Sequence, residues 1–150
     1  MSVLANRYAS NEMRQIFSAE AKIIAERELW LAVARAQKKL GHQITDEQLS
    51  AYEKVKHAVH LDSIDEREKA TRHDVKARIE EFNALAGHQV IHTGMTSRDL
   101  TENIEALQIR LGLELIRDKS VALLARLGEK AAQYSSCLLY TSPSPRDLST

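Results

Sequence analysis

Residues 92–103, His92-Thr93-Gly94-Met95-Thr96-Ser97-Arg98-Asp99-Leu100-Thr101-Glu102-Asn103, separate two kinds of pattern. Ahead of them lie several short helical patterns; behind them one uninterrupted helical pattern runs to about Tyr134. Gly94 loosens the backbone. Thr96 and Asp99 have the spacing of a capping box, the threonine accepting from first-turn N–H groups and the aspartate reaching back. Ser97 offers a second cap in the adjacent register. Leu100, Ile104, Leu107 and Leu111 then form the apolar stripe of a helix. A helix start with free N–H groups and two hydroxyls reads either as an ordinary capped end or as a seat for a carboxylate or phosphate.

Upstream, Thr71-Arg72-His73-Asp74 repeats the capping-box spacing, and Val75, Ile79, Phe82 and Ala86 continue as a stripe that Gly87 ends. This predicts a helix with Thr71 as cap and Arg72 and His73 in its first turn, beside unpaired N–H groups. Such a turn is a polar surface feature or a place where both side chains face an anion. A neutral histidine there can donate from one ring nitrogen and accept at the other. Residues 1–9 carry no pattern, with Arg7-Tyr8 just ahead of a short helix capped by Ser10. Arg7 reads as a solvated terminal charge or as a guanidinium fork for phosphate, with the Tyr8 hydroxyl beside it. Ser18 opens a longer helix that ends at Gly41. Its apolar side is marked by Ile23, Trp30, Val33 and Leu40, with Leu29, Ala34 and Ala36 widening it, and its charges include Glu26, Arg27, Glu28, Arg35, Lys38 and Lys39. Trp30 reads as a core anchor. Thr45 and Gln48 form another capping box before Leu49, Tyr52, Val55 and Val59, and a short helical run spans Ile64 to Ala70. His57 and His60 lack the further ligands a metal needs, so no metal site is expected.

The 150 residues carry 21 basic and 21 acidic side chains, so no net charge steers the chain towards nucleic acid or an anionic membrane. The single cysteine, Cys137, rules out an internal disulfide framework. No apolar run approaches the ~18 residues of a membrane span, and the first residues do not form a secretory signal. The default expectation is a cytoplasmic protein. A helix from Thr96 to Tyr134 would reach ~55 Å, longer than a compact domain of this size, so it requires long partners in a bundle or oligomer. Residues 137–150 hold both prolines and no helical period; they are expected to be a disordered tail, or an artefactual one resembling translated adapter read-through.

Taken together, three segments resemble the adenylosuccinate lyase family of the fumarase/aspartase superfamily, over about residues 4–136. These are Arg7-Tyr8 with Glu12-Met13 and Ile16-Phe17, then Thr71-Arg72-His73-Asp74-Val75, then His92 to Asp99. The resemblance implies an all-α fold: an N-terminal helical domain over 1–110 carrying two active-site segments, and over 111–136 the start of a central bundle that assembles into a homotetramer. It implies elimination of fumarate from adenylosuccinate to give AMP, and from the succinylated aminoimidazole carboxamide ribotide of purine biosynthesis, without a cofactor. It implies substrate binding by Arg7 and Tyr8 (phosphate), by Arg72, His73 and Asp74 (pocket), and by Thr96 and Ser97 (succinyl carboxylate). His73 takes a supporting catalytic role. The family's second histidine, its usual general acid, and its serine-bearing loop match nothing in this sequence. The chain therefore reads as the N-terminal part of such an enzyme, inactive alone. The alternatives are another lyase of the superfamily, acting on argininosuccinate, fumarate or a carboxymuconate, and a non-enzymatic helical interaction module.

Overall fold

The computed structural model describes residues 3–136. Among them there are only helices: α1 (Val3–Tyr8), α2 (Asn11–Ile16), α3 (Ala19–Lys39), α4 (Asp46–Val55), α5 (Leu61–Thr71), α6 (Asp74–Ala86) and α7 (Ser97–Gln133). The all-α class expected from the sequence is the class observed. The expected tail, 137–150, lies outside the described residues.

The caps explain where most helices begin. The Ser10 hydroxyl accepts from the Met13 N–H (3.3 Å) and the Ser18 hydroxyl from the Ala21 N–H (3.1 Å). Thr45 and Gln48 satisfy each other's backbone N–H groups in a full capping box. Gly87, at φ 72°, closes α6 in the left-handed conformation that glycine adopts without a Cβ penalty. Two expectations need correction. Residues 3–8 are helical although they show no pattern; α1 buries none of its residues, so it has no apolar stripe for a sequence reading to find. Leu40, placed on the buried side of α3, is 81 % exposed. It follows the last residue of α3, and the chain turns at Gly41 before that face meets the core.

The chain divides into two units, Met1–Leu113 and Glu114–Thr150. In the first, α3 supplies Trp30, Leu31 and Ala34 to a core completed by Leu49 and Tyr52 of α4, Val75 and Phe82 of α6, Ile91, and Leu100 of α7. The Phe82 ring lies between Trp30 (centroids 6.2 Å apart) and Tyr52 (4.8 Å). Trp30 is a core anchor, as its type suggests. A smaller cluster joins Ile23 of α3, Ile64 of α5 and Ala77 of α6. The N-terminal helices are tied to α7 at Gln108, whose side-chain amide donates to the Ile16 carbonyl (2.8 Å). One turn on, Gly112 leaves room for the Phe17 ring.

Buried charge crosses this core. Arg27 of α3 and Glu81 of α6 are paired and fully buried. The Arg27 guanidinium also donates to the carbonyls of Val55, Lys56 and Ala58 behind α4, and it lies 4.6 Å from the centre of the Phe82 ring. Those carbonyls lie at and beyond a helix C-terminus, where acceptors lack intrahelical donors and a guanidinium is well suited. The second Glu81 oxygen accepts from the His60 N–H at the start of α5. This one pair therefore joins α3, α4, α5 and α6.

The described part of the second unit is the remainder of α7 and the turn at 134–136, with Ile116, Val121, Leu123, Leu124 and Leu127 all exposed. No helix among the described residues is long and apolar enough to cross a membrane.

Candidate functional site

The His73 turn joins α5 to α6, and its geometry corrects the expected cap. Thr71 does not start α6; it ends α5. Its hydroxyl donates back to the Arg67 carbonyl (2.9 Å) and lies 3.1 Å from the His73 carbonyl. Arg72 follows in the left-handed region, at φ 53°, its N–H donating to the Glu68 carbonyl (2.7 Å). A non-glycine residue there costs ~1 kcal/mol or more. Arg72 thus caps the end of α5 rather than sitting in the first turn of α6. It lines a hollow with Asp65, Glu68 and Lys69.

His73 itself is the N-cap of α6. Its backbone is extended, and its Nδ1 accepts from the Lys76 N–H (3.3 Å). A cap of this kind fixes the tautomer. Nδ1 must be unprotonated to accept, so the neutral ring carries its proton on Nε2. The ring is half exposed and presents that N–H as a donor. Asp74 begins α6 with an oxygen 3.6 Å from Nδ1. Burial alone would push the Asp74 carboxyl up. The Val75 N–H, Arg78 and His73 outweigh it and hold the group below its ordinary value.

The second segment folds as its sequence predicts. The chain turns through left-handed conformations at His92 (φ 62°) and Gly94 (φ 70°). Asp99 then accepts from both the Thr96 N–H (2.7 Å) and the Thr96 hydroxyl (3.0 Å). Its own N–H approaches the Thr96 oxygen at 3.4 Å. The Thr96 N–H and then its hydroxyl hold the Asp99 carboxyl below its ordinary value. Ser97, half buried, is the first helical residue of α7, beside N–H groups that have no intrahelical acceptor.

Sequence reasoning quoted His92 but gave it no role. Its Nδ1 accepts from the Trp30 indole N–H (3.0 Å), which fixes its neutral ring in the same Nε2–H tautomer as His73. Burial lowers its pKa, the Asp99 charge opposes this, and the His73 charge adds to it. The available signal was the pairing of a lone tryptophan with a histidine beside the Gly94 turn. Val75 of the first segment shares the main core cluster with Ile91 and Leu100, which flank the second. Arg7 and Tyr8 lie exposed on α1, and neither side chain makes a hydrogen bond or ion pair with another described residue.

The α7 start offers the Ser97 hydroxyl beside backbone N–H groups without intrahelical acceptors, and the α6 start offers the His73 Nε2–H; each is a donor suited to an anion. No group of three or more potential metal ligands occurs among the described residues.

No family model matches the chain. It is 36 % identical over 152 residues to an adenylosuccinate lyase of Schistosoma mansoni, the match covering 98 % of this chain and 32 % of that protein. It is 38 % identical over 155 residues to an adenylosuccinate lyase of Schizosaccharomyces pombe, with the same coverages. An adenylosuccinate lyase of Archaeoglobus fulgidus is 30 % identical over 128 residues, covering 85 % of this chain and 29 % of that protein. The chain spans about a third of the length of these curated relatives. Relatives from animal, fungal and archaeal sources thus carry one name, and their matches span the residues that build both helix-start segments. The chain belongs to the adenylosuccinate lyase family, within the fumarase/aspartase superfamily.

Proposed function

We propose that this chain provides the N-terminal helical domain and first bundle helix of an adenylosuccinate lyase, a carbon–nitrogen lyase of purine biosynthesis working as a cytoplasmic homotetramer. The observation that carries the reading is the match to named adenylosuccinate lyases over nearly the whole chain. In the reaction, a base removes the proton beside one succinyl carboxylate. The electron pair spreads into that carboxylate and then forms the carbon–carbon double bond of fumarate. The carbon–nitrogen bond breaks, its pair stays on nitrogen, and an acid protonates it to give AMP. The succinylated aminoimidazole carboxamide ribotide is cleaved by the same steps.

In this reading the α7 start binds the succinyl carboxylate through Thr96, Ser97 and free N–H groups. These contacts strengthen as the carbanion forms, because its charge grows on that carboxylate. His73 supports proton transfer by donating from Nε2, Arg72 and Asp74 complete the pocket wall, and Arg7 and Tyr8 take the nucleotide phosphate. Their exposure on α1 suits a pocket completed by other subunits. The expected domain boundary near residue 110 belongs to the same proposal.

No histidine follows His92 in this sequence, so the acid expected after the α7 start has no candidate here. The chain alone is expected to release no fumarate from adenylosuccinate. A chimera tests the proposal: residues 3–133 replace the matching third of the Schizosaccharomyces pombe relative. Fumarate release by that chimera is the expected result. A folded tetrameric chimera that binds adenylosuccinate and does not cleave it would overturn the proposed role of this chain.

A further inference from the structure

The His73 turn is connected to a buried carboxylate on another helix. Glu26 of α3 is completely buried, a rare place for a charge without a close partner. Its partner is Arg78 of α6, whose Nε lies 2.6 Å from Glu26 Oε2 and whose side chain is 11 % exposed. The contact is close but off the hydrogen-bond direction, so Coulomb attraction rather than a directed bond holds the pair. The other end of the same guanidinium donates to the Asp74 carboxylate (3.0 Å). Asp74 stands 3.6 Å from His73 Nδ1, the atom that caps α6. One planar, five-donor cation therefore spans a buried carboxylate in the core and a surface carboxylate at the candidate site.

We propose that Arg78 and Glu26 are positioning residues for the His73 turn. Glu26 anchors Arg78 against α3, and Arg78 draws the Asp74 carboxylate along α6 and away from the ring. Nδ1 then stays free to accept from Lys76, and Nε2–H stays the outward donor. With the anchor removed, Asp74 turns to the ring and competes for Nδ1, the Lys76 N–H loses its acceptor, and the tautomer is no longer fixed. That His73 serves a substrate site rests on the proposed function; the link from Glu26 to the ring does not.

The test uses the full 150-residue chain and three variants. Arg78→Met keeps the aliphatic stem and removes the fork. Arg78→Lys keeps the charge but cannot span both carboxylates. Tyr52→Phe is the control: it removes hydrogen bonds to Asn83 and His88 at the other end of α6 and lowers stability without touching the turn. Two readouts follow the ring: amide exchange at Lys76, and the nitrogen shifts of His73, which report which ring nitrogen holds the proton. Arg78→Met is expected to speed Lys76 exchange about tenfold beyond the neighbouring α6 amides, a local opening rather than a global one. Its His73 shifts should move towards a mixture of tautomers, and Arg78→Lys should fall between. Tyr52→Phe should speed the α6 amides together and leave the His73 tautomer unchanged. Arg78→Met or, should that variant not fold, Arg78→Lys with wild-type Lys76 exchange and tautomer would overturn the proposal, as would the same changes in Tyr52→Phe. The chimera's turnover enters none of these readouts, so failure of the lyase reading and failure of this one are seen separately.

Discussion

At the scale of single residues, two helix starts built by different chemistry invite different substitutions. His73 is both a cap and a ring, and asparagine separates the roles because it ranks among the preferred caps. His73→Asn in the 150-residue chain is expected to melt close to wild type. In the chimera the same change should lower kcat at least ~100-fold, as for loss of a proton-transfer group. At α7 the roles fall on neighbours. Thr96→Ala should cost ~1 kcal/mol by urea unfolding, since Thr96 exchanges hydrogen bonds with Asp99. Ser97→Ala should leave stability nearly unchanged and lower kcat in the chimera. A pH dependence follows from His92. Burial depresses its pKa below the ordinary 6.5, so the unfolded ring takes up a proton more readily than the folded one. Its stabilisation is therefore complete above 6.5 and is lost as pH falls from there towards the folded value. Glu26 works in the opposite sense, because burial raises its pKa above 4.5 and its ionisation opposes folding as pH rises. The His92 contribution is read as the difference between wild-type and His92→Leu urea midpoints, followed by the fluorescence of the single tryptophan, and that difference should shrink as pH falls below 6.5. His92→Leu should be less stable at neutral pH, because Trp30 loses its acceptor, and should lose the part of that pH dependence that His92 supplies.

At the scale of elements, α6 is held at its middle by charge and at its end by a phenol. Glu81→Leu would leave Arg27 buried without its counter-ion, and loss of one partner from such a pair costs ~3–5 kcal/mol. The Arg27 contacts with Val55, Lys56 and Ala58 would loosen too, so α4 and α6 should become exposed to amide exchange together. At the other end the Tyr52 hydroxyl lies 2.5 Å from Asn83 Oδ1 and 2.6 Å from the His88 carbonyl. Tyr52→Phe is expected to cost ~1–3 kcal/mol, because buried acceptors lose their donor. Chemical denaturation of both variants beside wild type checks the order: Glu81→Leu the larger loss, Tyr52→Phe the smaller.

At the scale of the whole molecule, the second unit presents an apolar helix face with no cover among the described residues. Leu123, Leu124 and Leu127 are each more than half exposed. Surfaces of this kind drive association. The chain is expected to sediment as an oligomer, and replacement of these three leucines by glutamine should shift it to a smaller species. An equally large triple variant would place the association elsewhere.

The sequence by itself determined where four of the helices start, because caps act within four residues and need no partner from elsewhere. Ser10, Ser18, Thr45 and Thr96 were all legible on that ground. It determined the length of α7, since its period continues without a breaker to the end of the helix. At Thr71 the same local rule misled, because α5 runs one residue further and claims that hydroxyl for its own Arg67 carbonyl, leaving His73 to cap α6. The family was legible from three short segments; the Arg78 link was not. Ile23, Glu26, Arg27, Trp30, Leu31 and Ala34 make one continuous stripe on α3. A sequence reading assigns the two charges in that stripe to solvent, because burial of an unpaired charge is prohibitive. Only the tertiary structure brings Arg78 and Glu81 of α6 against them, and a buried charge is tolerable only where such a partner stands.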